Sequence, residues 1–120
     1  MSMSSAARYG DALRLAHMRD YARQAVALLA GHTRDDLDRD RLLQLAMARL
    51  LHIISEAASQ VTQDRRTSHP AIPWPETIAL RDRVQDYDFR IDNDFIWRIV
   101  RNDLPPVIAY LEDTLADHTP

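Results

Sequence analysis

The sequence predicts an all-α fold: one domain, residues 1–120, built as an up-and-down bundle of four to five helices. Only two of the 120 residues are glycine, and clusters of β-branched residues are few, which argues against β-hairpins. Apolar residues recur instead at steps of three and four, the spacing that forms one face of a helix. Hydrophobic residues make up 46% of the chain and charged residues 28%, as in an ordinary globular protein.

The first predicted helix covers about residues 7 to 30. Its apolar stripe consists of Leu15, Met18, Ala22, Ala25, Val26 and Leu29. Gly31 is placed to adopt the left-handed backbone conformation that commonly ends a helix. The polar residues 32–38 are predicted to connect this helix to the next.

The second predicted helix covers about residues 40 to 63. Its main stripe consists of Leu43, Met47, Leu50, Ile54, Ala57 and Val61. Three further residues, Leu42, Leu45 and Ile53, make the helix apolar on most sides. Such a helix lies at the centre of a bundle or in a dimer interface.

The second half of the chain is divided by prolines. Residues 62–68 are predicted to form a loop, and the prolines of residues 69–75 exclude a helix interior there. A third helix is predicted from Trp74 or Pro75 to about residue 84, and residues 85–91 show no periodicity. A fourth covers about residues 94 to 101, capped by Asp92 or Asn93. A fifth, capped by Asp103 with two prolines in its first turn, runs to about residue 116.

Composition excludes several classes of protein. The chain has no cysteine, so disulfide bonds and thiolate metal sites are excluded. No apolar run approaches the roughly 20 residues needed to span a membrane, and residues 1–7 lack the apolar core of a signal peptide. We therefore expect a cytoplasmic protein without membrane contact.

The net charge of −3 gives no general attraction to nucleic acid. All 15 basic residues are arginine, which fits a GC-rich genome or bidentate phosphate binding.

Several short patterns follow one another in a fixed order. Residues 69–107 contain His-Pro-x-Ile-Pro-Trp, an arginine-centred segment, Ile-Asp-x-Asp-x-x-Trp and Asn-Asp-Leu-Pro-Pro. Upstream, residues 42–61 read LLQLAMARLLHIISEAASQV. Together these patterns, spread over about residues 10 to 115, resemble the HepT family of the HEPN superfamily.

The resemblance implies a helical bundle that forms a homodimer. It also implies a metal-independent ribonuclease without a cofactor, whose site is formed by the paired motifs of the dimer. HepT proteins are toxins, and their antitoxin partner, MntA, is a nucleotidyltransferase. It silences the toxin by transferring AMP from ATP onto a tyrosine of the motif.

The family motif is an arginine, four to six intervening residues, a histidine, one further residue and then a tyrosine. In RNA cleavage the histidine takes the ribose 2′-hydroxyl proton, and the arginine stabilises charge on the phosphate. Arg81 matches the motif arginine, but Asp82 replaces the usual asparagine and Asp86 occupies the histidine position. Tyr87 precedes the expected tyrosine position, which Asp88 fills.

Three interpretations of residues 81–88 remain open. The site has degenerated, with arginines and aspartates paired across a dimer interface, or it is a ribonuclease with a shifted or unusual base, or it has been deliberately inactivated. An aspartate has an ordinary pKa of about 3.9 and is a weak base, although burial or nearby acids raise that value. Tyr87 either packs as an ordinary amphipathic residue or still receives the AMP group.

Other residues have structural and functional interpretations. Glu56 lies in an apolar helix and needs a partner such as Arg49 or Arg81, with a catalytic role as the alternative. His52 precedes it by one turn, but the pair has no third ligand at helical spacing, so no metal site is predicted. Three further arginines are candidates for RNA phosphate contacts: Arg83, Arg98 and Arg101.

The sequence therefore predicts a HepT-like toxin component that forms a homodimer and pairs with an MntA-type nucleotidyltransferase, with RNA as a candidate ligand. Its ribonuclease activity is predicted to be impaired because Asp86 replaces the motif histidine. The alternative is a non-catalytic binding module that keeps the HepT fold and the surface for the antitoxin.

Overall fold

A computed structural model describes residues 5–86, 88 and 90–116. Within these residues the fold is all-α, as predicted, and no strand is present beyond an isolated antiparallel bridge between Gln85 and Ile91. The helices are α1 (Ser5–Leu29), α2 (Arg34–Arg39), α3 (Arg41–Ser59), α4 (Gln63–Ser68), α5 (Trp74–Ile78), α6 (Leu80–Val84), α7 (Asn93–Arg98) and α8 (Leu104–Ala116). A π-helical turn, Ile99–Asp103, joins α7 to α8.

The three long helices form the centre of the bundle. Helix α1 packs along both α3 and α8, and its predicted stripe is buried except for the half-buried Val26. On α3, Leu51 is fully buried, whereas Leu50, which was predicted to belong to the buried stripe, is half-buried. Leu42 and Leu45 are exposed. Within the single chain α3 is therefore not covered on its Leu42 and Leu45 side, and its burial in a dimer interface stays a prediction.

The connector after α1 contains a helix that the sequence did not predict. Gly31 ends α1 with a φ of 81°, in the left-handed region that glycine adopts without strain, which confirms its expected role. Thr33 then starts α2 through a capping box with Asp36. Leu37 of this short helix is fully buried.

The predicted loop at residues 62–68 was also wrong, because residues 63–68 form α4. Thr62 caps this helix by accepting a hydrogen bond from the backbone N–H of Arg65. The buried carboxylate of Asp11 on α1 accepts hydrogen bonds from the Thr62 backbone N–H at 2.9 Å and from its hydroxyl at 2.7 Å. A buried carboxylate with two donors fixes the start of α4 against α1.

The predicted third helix is divided at Ala79 into α5 and α6. Trp74 begins α5 and is buried, with its indole N–H directed at the carbonyl of His69 at 3.1 Å. Leu80 and Val84 of α6 are buried against the core that α3 contributes to. The exposed residues 81–83 of α6 therefore lie at the surface next to α3.

The C-terminal part contains one confirmed cap and one that was wrong. Asp92 caps α7 by accepting a hydrogen bond from the Phe95 backbone N–H at 3.0 Å. Asp103 caps no helix, because the chain passes from α7 through the π-helical turn directly into α8. Pro105 and Pro106 follow that turn, and neither has an N–H to donate to a carbonyl one turn earlier. The wider turn accommodates these prolines without ending the helical path.

In the part of the chain described above, no helix is long and apolar enough to cross a membrane.

Candidate functional site

A surface groove lies between α3 and the segment formed by α6 and the Gln85–Ile91 bridge. Its volume is about 330 Å³. Its lining residues are Leu45, Ala48, Arg49, His52, Arg81, Val84, Gln85 and Ile91. The groove thus brings two arginines and a histidine together from two distant parts of the sequence.

Arg81 is held in the groove by a carboxylate on the opposite helix. Its Nη1 donates a hydrogen bond to Oε1 of Glu56, which lies one turn after His52 on α3. This contact confirms the expectation that Glu56 pairs with an arginine. The Arg81 side chain remains 51% exposed, so its guanidinium is available to an anion entering the groove.

His52 lies near the same carboxylate. Its Nε2 lies 3.6 Å from Oε1 of Glu56, and its side chain is 37% exposed. Glu56 therefore contacts both His52 and Arg81 through one oxygen atom. In the described part of the chain, no three histidine, aspartate or glutamate side chains are grouped to hold a metal ion.

Asp86 lies in a different cavity from Arg81. A second cavity of about 290 Å³ is lined by Asp82, Arg83, Gln85, Asp86, Arg90, Ile91 and Asp92. Gln85 and Ile91 line both cavities, so the bridged pair forms the wall between them. Arg81 lines the first cavity and not the second, and among the described contacts the Asp86 carboxylate pairs with the Arg90 side chain.

The Asp86 carboxylate organises the loop that follows α6. Its Oδ1 accepts hydrogen bonds at 2.9 Å from the backbone N–H groups of Arg90 and Asp88, and Oδ2 accepts one from Nε of Arg90 at 3.0 Å. The backbone hydrogen bond from Arg90, followed by the one from Asp88, lowers the pKa of Asp86 below its ordinary value. A lowered pKa makes Asp86 a weaker base than an ordinary aspartate.

Comparison with known proteins assigns the chain to a family. The sequence profile of the family described as "Ribonuclease HepT-like" matches residues 18–114. The chain belongs to the HepT-like ribonuclease family. The resemblance in residues 42–61 and 69–107 is confirmed.

Relatives in archaea and bacteria agree with this family. A protein of Thermococcus cleftensis named "Probable ribonuclease HepT" is 33% identical over 93 residues, which cover 74% of this chain and 84% of that protein. A protein of Methanocaldococcus jannaschii, provisionally named as an RNase, is 33% identical over 85 residues, covering 71% and 70%. One of Caldanaerobacter subterraneus, also provisionally named as an RNase, is 25% identical over 101 residues, covering 84% and 90%. No solved structure gives a significant match.

The remaining candidate residues of this HepT-like chain lie outside the groove lining. Arg83 and Arg98 lie over the ring of Phe95, with guanidinium carbons 4.5 Å and 5.6 Å from its centroid. Arg101 lies 5.0 Å from the centroid of Trp97. Arg83 also lines the second cavity, and none of these three arginines lines the groove with Arg81.

Two further candidates in the motif have different outcomes. Asp82 is 79% exposed, with its Oδ1 3.7 Å from Nε of Arg81. Tyr87 lies outside the described residues. The one-turn spacing of His52 and Glu56 was visible in the sequence, but the position of His52 and Arg49 in one groove with Arg81 was not.

We predict that replacing Asp86 with alanine exposes the backbone N–H groups of Asp88 and Arg90 to solvent. A carboxyl whose pKa is lowered by folding stabilises the loop above its ordinary pKa of about 3.9. That contribution is lost as the pH falls through the lowered value. Amide hydrogen exchange measures both effects: exchange at Asp88 and Arg90 is faster in Asp86→Ala at neutral pH, and wild-type protection decreases below pH ~4.

Asp88→Ala is the matched control, because the Asp88 carboxylate contacts only the Arg90 side chain at 3.5 Å among the described contacts. Equal protection of the two amides in wild type and Asp86→Ala would show that the carboxylate does not organise the loop.

Proposed function

We propose that this chain is the ribonuclease toxin component of a HepT/MntA-type toxin–antitoxin pair, which cleaves RNA at the groove between α3 and α6. One observation carries the proposal: Arg81, the motif arginine, is half-exposed in a groove and fixed there by Glu56. The family membership supports the ribonuclease activity. The toxin role and the partner remain part of the proposal.

The groove has the charge arrangement that phosphodiester cleavage requires. A guanidinium presents several N–H groups in a fixed plane, and it can bind one carboxylate and still donate to phosphate oxygens. The ion pair with Glu56 holds the Arg81 plane before RNA arrives, which reduces the cost of ordering it. Arg49 adds a second positive charge to the same groove.

Cleavage at this site is proposed to be slower than in a family member with the motif histidine. The motif position is filled by Asp86, whose lowered pKa and hydrogen bonds from Arg90 and Asp88 make it unsuitable as the base for a 2′-hydroxyl. Impaired activity was the expectation from the sequence, and the environment of Asp86 supports it.

The homodimer and the antitoxin are parts of the same proposal. Leu45 lines the groove and Leu42, on the same helix, is 79% exposed, so a second copy of the chain covering these leucines would bury apolar surface beside the site. Light scattering of the purified protein measures this association.

The MntA-type partner is proposed to add AMP to Tyr87. Mass spectrometry of wild type and Tyr87→Phe, each incubated with the partner and ATP, measures that addition.

The experiment that tests the ribonuclease function is cleavage of an end-labelled RNA by the purified protein in chelator, which removes metal-dependent nucleases. We expect products ending in a 2′,3′-cyclic phosphate, because the 2′-hydroxyl attacks its own phosphodiester. DNA of the same sequence lacks that hydroxyl and is the control, which must remain uncut. RNA that also remains uncut at high protein concentration would contradict the proposal.

One observation favours the alternative of a non-catalytic binding module. The carboxylates of Asp82, Asp86 and Asp88 are 79%, 44% and 78% exposed beside the groove, and exposed negative charge repels RNA phosphates. A module of this kind would bind the antitoxin and leave RNA intact. The RNA assay above, combined with a binding measurement on the nucleotidyltransferase, distinguishes the two functions.

A further inference from the structure

We propose that His52 of α3 is the general base of RNA cleavage, in place of the histidine absent from the motif. The proposal rests on the proposed ribonuclease function and assigns a residue to its chemical step. It follows from the groove, where His52 and Arg81 line the same surface and share one carboxylate.

Glu56 contacts both side chains through one oxygen atom. Its Oε1 lies 3.6 Å from Nε2 of His52 and accepts a hydrogen bond from Nη1 of Arg81. A carboxylate on one ring nitrogen favours the tautomer with the proton there and leaves a lone pair on the other nitrogen. The 3.6 Å contact is longer than a hydrogen bond, and the nearby negative charge favours the proton on Nε2. In the proposed step Nδ1 of His52 accepts the proton and Arg81, in the same groove, binds the phosphate.

The other histidines lie in surroundings that separate them from Arg81. His69 is buried, with Nδ1 2.6 Å from the hydroxyl of Tyr110. His32 precedes α2 and pairs with Asp36 at 3.3 Å, and His17 packs edge-on against Tyr21 within α1. His118 lies outside the described residues. Among the histidines that the structure describes, His52 alone lines the groove with Arg81.

An imidazole suits this step because it titrates near neutral pH and exchanges protons readily there. Nδ1 of His52 takes the proton of the ribose 2′-hydroxyl as the 2′-oxygen forms a bond to phosphorus. The bond from phosphorus to the 5′-oxygen breaks, and Arg81 stabilises the charge on the non-bridging oxygens. The departing 5′-oxygen takes a proton from water, and the resulting hydroxide is neutralised by the proton that His52 then releases.

The charged groups around His52 come from both walls of the groove. Arg49 and Glu56 lie on α3, and Arg81 lies on α6, whereas Gln85 and Ile91 of the bridged segment are uncharged. The pH dependence of cleavage is therefore measured directly, by comparing wild type with variants at His52.

The test compares RNA cleavage in chelator by wild type, His52→Gln and His32→Gln. His32 is a matched control because it also pairs with an acidic residue four positions later, and its side chain is 38% exposed. We expect His52→Gln to slow cleavage by at least about 100-fold, and His32→Gln to leave it unchanged. Wild-type cleavage slows as the pH falls below the range in which an imidazole is neutral, and His52→Gln lacks this limb.

Two further measurements separate a lost base from a damaged site. RNA with 2′-O-methyl groups cannot react, and we expect it to bind wild type and His52→Gln equally. Imidazole added to the buffer is expected to restore part of the cleavage by His52→Ala, because it replaces the deleted ring. Cleavage by His52→Gln at the wild-type rate, with the wild-type pH profile, would overturn the assignment and leave the ribonuclease function standing. Wild type that binds 2′-O-methyl RNA but cleaves no RNA would overturn both proposals.

Discussion

Replacing Arg81 with alanine is expected to slow RNA cleavage by about 100- to 1000-fold, the usual cost of removing one positioned donor from developing charge. Among the described contacts, Arg81 is the one arginine of the groove that forms an ion pair with Glu56. Its removal also leaves the Glu56 carboxylate without that partner, and a free negative charge in the groove repels the phosphate. Arg81→Lys is expected to retain part of the rate, since lysine keeps the charge but lacks the planar fork.

Arg23→Ala is the matched control for Arg81→Ala. Arg23 on α1 pairs with Glu112 on α8 at 2.9 Å, and the two side chains are 48% and 45% exposed. Arg81 and Glu56 are exposed to a similar extent, at 51% and 41%. Because exposed ion pairs contribute about 0–1 kcal/mol to stability, both variants are expected to stay folded, and circular dichroism checks this. An Arg81→Ala protein that cleaves at the wild-type rate would contradict a role for the groove.

The helices with a regular apolar stripe were predicted from the sequence, because their burial follows directly from spacing. The stripe of α1 and the end of that helix at Gly31 are examples. Helices α2 and α4 were missed because each has six residues and at most one buried residue, Leu37 in α2. A short polar helix has no periodicity to detect. The capping pattern from Thr33 to Asp36 was nevertheless readable.

The break in the third helix and the π-helical turn depended on contacts that periodicity does not describe. Ser55 on α3 donates a hydrogen bond to the carbonyl of Ile78, the last residue of α5. This bond occupies a carbonyl at a helix end, close to the division at Ala79. The π-helical turn similarly reflects the two prolines that follow it. In both cases tertiary or local steric effects decided the helix boundary.

The candidate site could be predicted only in part. The pairing of Glu56 with Arg81 was one of two alternatives, and the groove contains both that pair and Arg49. The position of His52 was missed because histidines were sought at the motif spacing after an arginine, whereas α3 brings His52 to Arg81 through tertiary packing. The role of Asp86 was readable in principle, since an aspartate often accepts hydrogen bonds from backbone groups a few residues later.

Replacing Leu15 with alanine is expected to lower the free energy of unfolding by about 2–5 kcal/mol. Leu15 lies in the middle of α1, is fully buried, and belongs to a cluster with residues of α3, α5 and α8 such as Ala58, Trp74 and Leu111. Alanine removes apolar contacts and leaves a cavity that three helices surround, so the structure collapses around it only partly. The loss is a large fraction of the 5–15 kcal/mol typical of a domain, and denaturant unfolding with an unchanged slope measures it.

Leu13→Ala removes the same atoms from the same helix and is the matched control. Leu13 is 39% exposed, and both changes have the same effect on helix propensity, so the difference between them reports burial alone. We expect Leu13→Ala to change stability by no more than about 0.5 kcal/mol, as at most surface positions. An equal loss in the two variants would mean that α1 does not direct its Leu15 face toward α3, α5 and α8. The placement of α3 that forms the groove would then need revision, because α1 is the helix against which α3 packs most extensively.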